Sequence, residues 1–433
     1  MGKKYHSIPK SATLFYIGLT GVFVYFLTIY FLKIFAIEAF YSAIISICTV
    51  SVSMIILEKF HLQKEHKESS GIDFSKPHTI DFKRVLIKLI GLYGTIGIVA
   101  VFYWIFPEYQ TDFFNNYFRL LKLLLPLILI GAIPYFFILD RYMNEPCDSY
   151  WHAGNVFLCK FSIVDKSILK HHFLGWLVKV FFLALMFSYL VGNTGYLLSS
   201  NFSSAKDNFS TFYDYMYNLL YSIDLLYVSA GYMLTLKIFD SHIRTTEPSL
   251  LGWVVALHCY QPFWSLFSNS YLNYDDGYFW GNMLADHYEL YKIYGSVILL
   301  LITIYVLSTI VFGIRFSNLT NRGIITNGPY RLMKHPAYIS KNLSWWLISV
   351  PFISSAGIGD ALRHSLLLVI LNIIYYLRAK TEERHLSLDP VYVEYATAMN
   401  EKGLFKKLYK VLPFLKYDVN NYIENGKIKK LFF

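Results

Sequence analysis

The chain has 433 residues, of which 55% are hydrophobic, 19% aromatic and only 16% charged. Soluble domains run at about 45–50% apolar and about 25% charged, so this balance excludes an ordinary soluble enzyme. The net charge of +10 would suit a nucleic-acid partner if it were gathered on one face, but its distribution along the chain reports membrane topology instead.

A spanning helix needs roughly 20 mostly apolar residues, because lipid offers no partner to backbone N–H and C=O groups. Ten stretches have that character, near 12–37, 39–57, 85–106, 119–139, 173–199, 217–238, 250–268, 292–314, 343–358 and 364–378. The ninth and tenth are short enough to form a partly inserted hairpin. The expected fold is all-α, a polytopic transmembrane bundle of about ten spans. With the N-terminus inside, Lys206 and Arg363 are the only Lys or Arg in the outer connections; Lys33, Lys88, Arg119, Lys122, Lys179 and Lys292 sit in or at the edges of spans, and all the others fall inside. That bias places both termini in the cytoplasm, in a bacterial inner membrane or the endoplasmic reticulum. The first span lacks a small-residue cleavage site and reads as a retained helix.

Residues 1–210 carry five spans with little convergent polar chemistry, and no role is assigned to them. The 58–84 connection is mixed in charge, and His61, Glu65 and His66 do not form H-E-x-x-H, so no metal is expected. Gly91, Gly94 and Gly97 lie three apart in an apolar run, a spacing that lets helices approach closely. No G-x-G-x-x-G follows a strand, which argues against a soluble nucleotide-binding fold. Lys88, Lys122 and Lys179 are expected to snorkel from span ends. Cys48, Cys147, Cys159 and Cys259 form no C-x-x-C and are expected to be free thiols. On the outer side, Asn201 and Asn208 head N-x-S sequons, and Asp275, Asp276 and Asp286 mark an acidic, solvated loop. Asp224 and His258 lie deeper in their spans, where an ionisable group either makes a structural hydrogen bond or faces a functional cavity.

Residues 211–433 hold the second five spans and the chemistry, concentrated in 322–396. Asn327-Gly328-Pro329 is a turn, followed by Tyr330, Arg331, Lys334, His335 and Tyr338 on one short segment. Pro336 biases His335 away from helical geometry and leaves backbone groups unpaired, which at membrane depth is tolerated only beside a cavity or ligand. Further on, Arg378, Glu382 and His385 fall at i, i+4 and i+7 on one helical face, with Glu383 beside them. Arg378 and Glu382 could pair with each other. Set against a cavity, they suit a zwitterion instead, the carboxylate taking an ammonium and the guanidinium a carboxylate. Solvated charges on a helix leaving the membrane are the other reading of the same spacing.

Together these two segments resemble the isoprenylcysteine carboxyl methyltransferase and phospholipid methyltransferase superfamily of membrane enzymes. Its first element, G-x-Y-x-x-x-R-H-P-x-Y, corresponds to Gly328, Tyr330, Lys334, His335, Pro336 and Tyr338. Its second, R-x-x-x-E-E-x-x-L with tyrosines beyond, corresponds to Arg378, Glu382, Glu383, Leu386, Tyr392 and Tyr395. The stretch 244–263 is also similar to bacterial members. The resemblance implies methyl transfer from S-adenosyl-L-methionine to a lipophilic acceptor, such as an isoprenylcysteine-type carboxylate, a phospholipid or a related lipid. It implies that Gly328, Tyr330, His335, Pro336, Tyr338, Arg378, Glu382 and Glu383 bind the cofactor, with Arg378, Glu382 and His335 closest to the chemistry. Lys334 departs from the family's arginine, and Ser340-Lys341-Asn342 replaces a glycine followed by apolar residues, making the membrane-side approach more polar.

Membrane sterol reductases, which use NADPH, resemble the same superfamily in their C-terminal portion. This chain has Gly328-Pro329-Tyr330 where they favour a G-W-W-like sequence, and Ser340 where they keep glycine. A transporter or non-catalytic scaffold is the third reading. The tail 401–433 mixes Lys with Leu, Phe and Tyr, as a segment does that lies on an anionic leaflet or caps a pocket.

Overall fold

The computed structural model describes residues 7–200, 208–268, 274, 279–424 and 427–428. Asn201, Lys206, Asp275 and Asp276 lie outside them, as do the ends of both termini. Among these residues, sixteen α-helices follow in chain order: α1 (Phe15–Ile34), α2 (Ala39–His61), α3 (Gln63–Ser70), α4 (Phe82–Ile105), α5 (Asn115–Tyr142), α6 (Ser149–Phe157), α7 (Lys166–Ser199), α8 (Phe209–Met233), α9 (Leu250–Leu257), α10 (Phe263–Ser268), α11 (Trp280–Met283), α12 (Tyr288–Ile310), α13 (Pro336–Ser349), α14 (Ile358–Leu386), α15 (Pro390–Lys402) and α16 (Leu408–Val411). Strand β1 (Thr245–Thr246) pairs antiparallel with β2 (Thr320–Asn321), and β3 (Ile423–Glu424) with β4 (Lys427–Ile428).

Helix starts follow local chemistry. Asp81, Asp148, Asp165, Asn208, Ser249 and Asp389 each accept a backbone N–H of the turn they cap, satisfying donors that have no partner within the helix.

Among the described residues, seven helical segments are long and apolar enough to cross a membrane: Phe15–Ile34, Ala39–His61, Phe82–Ile105, Asp112–Tyr142, Lys166–Ser199, Tyr288–Ile310 and Ile358–Leu386. Their outer faces carry bare apolar side chains such as Phe23, Trp104, Leu127 and Ile130, a surface that water would not tolerate over this extent. The fold is thus all-α with the character of a multi-pass membrane protein.

Three expected spans differ. Helix α8 is long enough, but Asp214, Asn218 and Asp224 interrupt its apolar sequence. The stretch 250–268 is two short helices, because Pro262 lacks an N–H and its ring clashes with the preceding turn. Helix α13 has 14 residues, a rise of about 21 Å against a hydrocarbon thickness of about 30 Å. It stops at Val350, which adopts φ 38° ahead of Pro351, where the proline disfavours further α-helix.

One apolar core draws Ile17 and Tyr25 from α1, Val50 and Met54 from α2, Phe182 and Phe187 from α7, Leu226 and Tyr227 from α8 and Ile302 and Val306 from α12. It therefore runs across residue 210. Close helix contact explains Gly91 and Gly94: a Cβ at Gly91 would lie 2.1 Å from the Tyr150 carbonyl oxygen, and one at Gly94 would strike the Phe157 ring. Gly97 faces open space.

Of the lysines expected to snorkel, Lys122 is exposed. Lys88 instead is fully buried and pairs with Asp148 at 3.3 Å, because α6 packs across α4 and covers it. The ammonium of Lys179 lies 3.8 Å from the Trp176 ring centroid. All four cysteines are free thiols. Asn208 serves as the cap of α8, and Asp286 sits on an exposed turn.

Candidate functional site

The segment entering α13 is held from below by the chain's own beginning. Thr326 donates its N–H to Ser11 Oγ (3.1 Å) and its hydroxyl to the Pro9 carbonyl (2.8 Å), while Asn327 Nδ2 donates to the Thr13 carbonyl (2.7 Å). Thr13 also donates to Glu58 (2.6 Å), which forms an ion pair with buried Arg315. Arg322 donates to the carbonyls of Gly231, Leu234, Ser241, Ile314 and Phe316. It thereby satisfies oxygens that the end of α8 leaves open. Gly328 has φ 54°, and a Cβ there would lie 3.2 Å from Val311 and 3.3 Å from Phe15. The turn therefore needs glycine for its conformation as well as for its fit.

From that turn the chain reaches the second element. Pro336 occupies the first turn of α13, where its missing N–H costs nothing. The His335 and Tyr338 rings stack 5.6 Å apart with 4° between their planes. Helix α14 is unbroken from Ile358 to Leu386, so Arg378, Glu382 and His385 stay on one face. All three line a chamber of about 50 Å³ together with Tyr338. A second chamber, about 70 Å³, is bordered by Tyr330, His335, Tyr338, Arg378 and Glu382. A third, about 60 Å³, lies between Tyr330, His335, Glu382 and Tyr395. Glu382 and Ser317 border all three. The tyrosine-and-histidine turn and the arginine–glutamate helix thus face each other across shared cavities.

The two adjacent glutamates have opposite surroundings. Glu383 is buried and saturated: Lys334 at 2.8 Å, Lys380 at 2.9 Å, His335 Nε2 at 3.3 Å and the Tyr422 hydroxyl at 2.9 Å. It lines none of the three chambers and binds α14, the α13 entry and the tail into one unit. Burial pulls the Lys334 ammonium below its ordinary range, and Glu383 opposes that.

Glu382 faces the cavities, and its one hydrogen bond among the described residues is accepted from the Tyr338 hydroxyl at 2.7 Å. Arg378 is buried, donates to Asn318 Oδ1 at 2.6 Å and lies 5.1–5.7 Å from the rings of Tyr338, Tyr260 and Tyr375. Among the described residues it has no carboxylate partner, so the pairing that its spacing from Glu382 allowed is not made. Burial pushes the Tyr330 hydroxyl well above its ordinary value, and the Glu382 charge adds to this.

His385 meets the Thr245 hydroxyl at 2.9 Å on β1, and neighbouring Arg384 pairs with Glu247 at 3.0 Å; in this way the 244–263 stretch docks on α14. Asp224 accepts from Thr309 (2.5 Å) and Tyr305 (2.9 Å), and both donors line the second chamber. His258 lines none of the three. The tail packs over the site: Tyr395 donates to the Tyr330 carbonyl (2.7 Å), and Tyr417 and Tyr422 are buried beside Tyr392.

Sequence reasoning passed over Asn318 and Tyr260. Asn318 joins Arg378 to the Tyr232 hydroxyl (2.9 Å) and the Tyr260 hydroxyl (3.2 Å). The available signal was polar Tyr260-Gln261 ahead of a proline inside an apparent span.

No protein-family model, curated protein or solved structure matches the chain.

Proposed function

We propose that this chain is an integral membrane methyltransferase that uses S-adenosyl-L-methionine and acts on a lipophilic acceptor at the cytoplasmic boundary, within the superfamily its two motifs resemble. The observation that carries this reading is a guanidinium and a carboxylate one helical turn apart. Both are turned into shared cavities, and neither is neutralised by an opposite charge among the described residues. A buried charge without a counter-ion is costly, and a zwitterionic amino-acid group cancels both charges at once.

The residues suit the methionine end of the cofactor. Arg378, steadied by Asn318, would take its carboxylate, and Glu382 its ammonium. The aromatic walls of Tyr330, Tyr338 and Tyr260 would flank the rest. Each chamber is smaller than a nucleoside, so binding requires them to merge, and Glu382 is the charged side chain that borders all three, alongside Ser317. When bound, the group supplies an electrophilic methyl on sulfur, whose transfer to the acceptor breaks one bond and forms one without any redox change. The protein's own part is then alignment and exclusion of water. Tyr338 holds the Glu382 carboxylate in place, and the tail seals the turn above it.

Calorimetric titration of the detergent-solubilised protein tests the assignment. S-adenosylhomocysteine should bind saturably while NADPH does not. Binding of NADPH alone would favour a reductase, and binding of neither a transporter or scaffold; both outcomes overturn the proposal.

A further inference from the structure

A larger, partly open space lies elsewhere. A cavity of about 580 Å³ is walled by α5, α6, α7 and the loop after α8. That volume falls within the roughly 300–1,000 Å³ range of small-molecule sites and dwarfs the chambers beside Arg378. Its wall is aromatic at Tyr135, Tyr150 and Trp176 and polar elsewhere.

The charged lining is strongly unbalanced. Lys179, Lys237 and Arg244 face the cavity with the imidazoles of His171, His172 and His242, against Glu145 and Asp148. Asp148 is already engaged: it takes Lys88 at 3.3 Å and caps α6 through the N–H groups of Tyr150 and Trp151. Arg244 pairs with Asp240 at 3.5 Å. Lys179 and Lys237 form no ion pair among the described residues; Lys179 rests on the Trp176 ring. The buried Nδ1 of His242 has no hydrogen-bond partner there and lies 3.9 Å from Asp240. Burial holds Lys237 below its ordinary range, and burial plus the cations Lys237, Arg244, Arg322 and Arg315 push His242 down to about 3. The imidazole of His242 is therefore neutral, and the field around it is positive.

Neither ammonium is ion-paired among the described residues, and only the through-space pull of Asp148 and Glu145 opposes the burial of Lys237; cations held in a cavity in this way are costly, and a dianion would offset both. A phosphate monoester carries about −1.5 to −2 at neutral pH and three acceptor oxygens, and lysine serves it well as a point charge. We propose that this cavity is a second ligand site, which binds a phosphate-bearing anion between Lys179 and Lys237. The anion is either the headgroup of an acidic phospholipid or a soluble phosphate ester.

The test uses the full chain in neutral detergent, with thermal unfolding and native mass spectrometry as readouts. Phosphatidic acid, phosphatidylcholine and glycerol phosphate serve as probes. The site predicts saturable stabilisation by phosphatidic acid, glycerol phosphate or both, with none from phosphatidylcholine. Response to phosphatidic acid alone assigns the lipid, and response to glycerol phosphate assigns the soluble ester. The Lys179→Met and Lys237→Gln variants should each weaken binding about tenfold, the loss of one charge contact of about 1.4 kcal/mol. Lys179→Met also removes an uncompensated buried charge, so it should fold at least as well as the parent. Absence of a saturable response to either phosphate, or an affinity unchanged from the parent in both variants, overturns the proposal.

Discussion

Replacing Arg378 by Met separates a ligand-binding arginine from a structural one. The guanidinium is buried, makes its short hydrogen bond to Asn318 and has no carboxylate among the described residues to offset its desolvation. Methionine keeps an unbranched apolar stem and removes that uncompensated charge. It leaves Asn318 Oδ1 without its partner, at a cost of about 1–3 kcal/mol for a buried acceptor. The two effects oppose each other, so the unfolding midpoint should move little or rise. Binding should respond quite differently. A hydrogen bond to a charged group contributes about 1.5–3 kcal/mol, or about ten- to 150-fold in Kd, and S-adenosylhomocysteine should weaken by at least that factor. Glu382→Gln should weaken it similarly by removing the charge that faces the ammonium. Calorimetry gives the affinities, and thermal unfolding in the same detergent gives the stability control. Unchanged affinity in both variants would refute the zwitterion argument. A collapse of stability in Arg378→Met would instead assign the arginine to the scaffold.

Three other outcomes follow from the same geometry. Glu383→Ala should destabilise by about 3–5 kcal/mol, because it strands the Lys334 and Lys380 charges around a buried site; chemical denaturation would read this as a lowered midpoint. Gly328→Ala forces a left-handed L-residue at φ 54° against Val311 and should cost about 1–2 kcal/mol, visible in the thermal midpoint. For His242, the folded-state pKa is depressed to about 3 from an ordinary 6.5, so its contribution to stability is complete above about pH 6.5 and is lost as pH falls towards 3. Unfolding midpoints measured at pH 7 and pH 5 should therefore diverge less in His242→Gln than in the parent.

Local periodicity was enough to place Arg378, Glu382 and His385 on one face, because a helix repeats every 3.6 residues whatever it packs against. Length and apolarity likewise revealed most of the spans, since backbone groups in lipid must be satisfied within the helix. Proline-interrupted segments were less legible: the chemistry that breaks 250–268 at Pro262 and stops α13 ahead of Pro351 was present, but apolar composition alone does not register it. The different roles of Glu382 and Glu383 could not be read at all. They are neighbours of one residue type, and only packing decides that Glu383 meets Lys334, Lys380 and Tyr422 while Glu382 turns into the cavities. The same holds for Asn318 behind Arg378 and for Pro9, Ser11 and Thr13 beneath the turn. Their partners are distant in sequence, and such contacts depend on how whole helices dock, which no local pattern encodes.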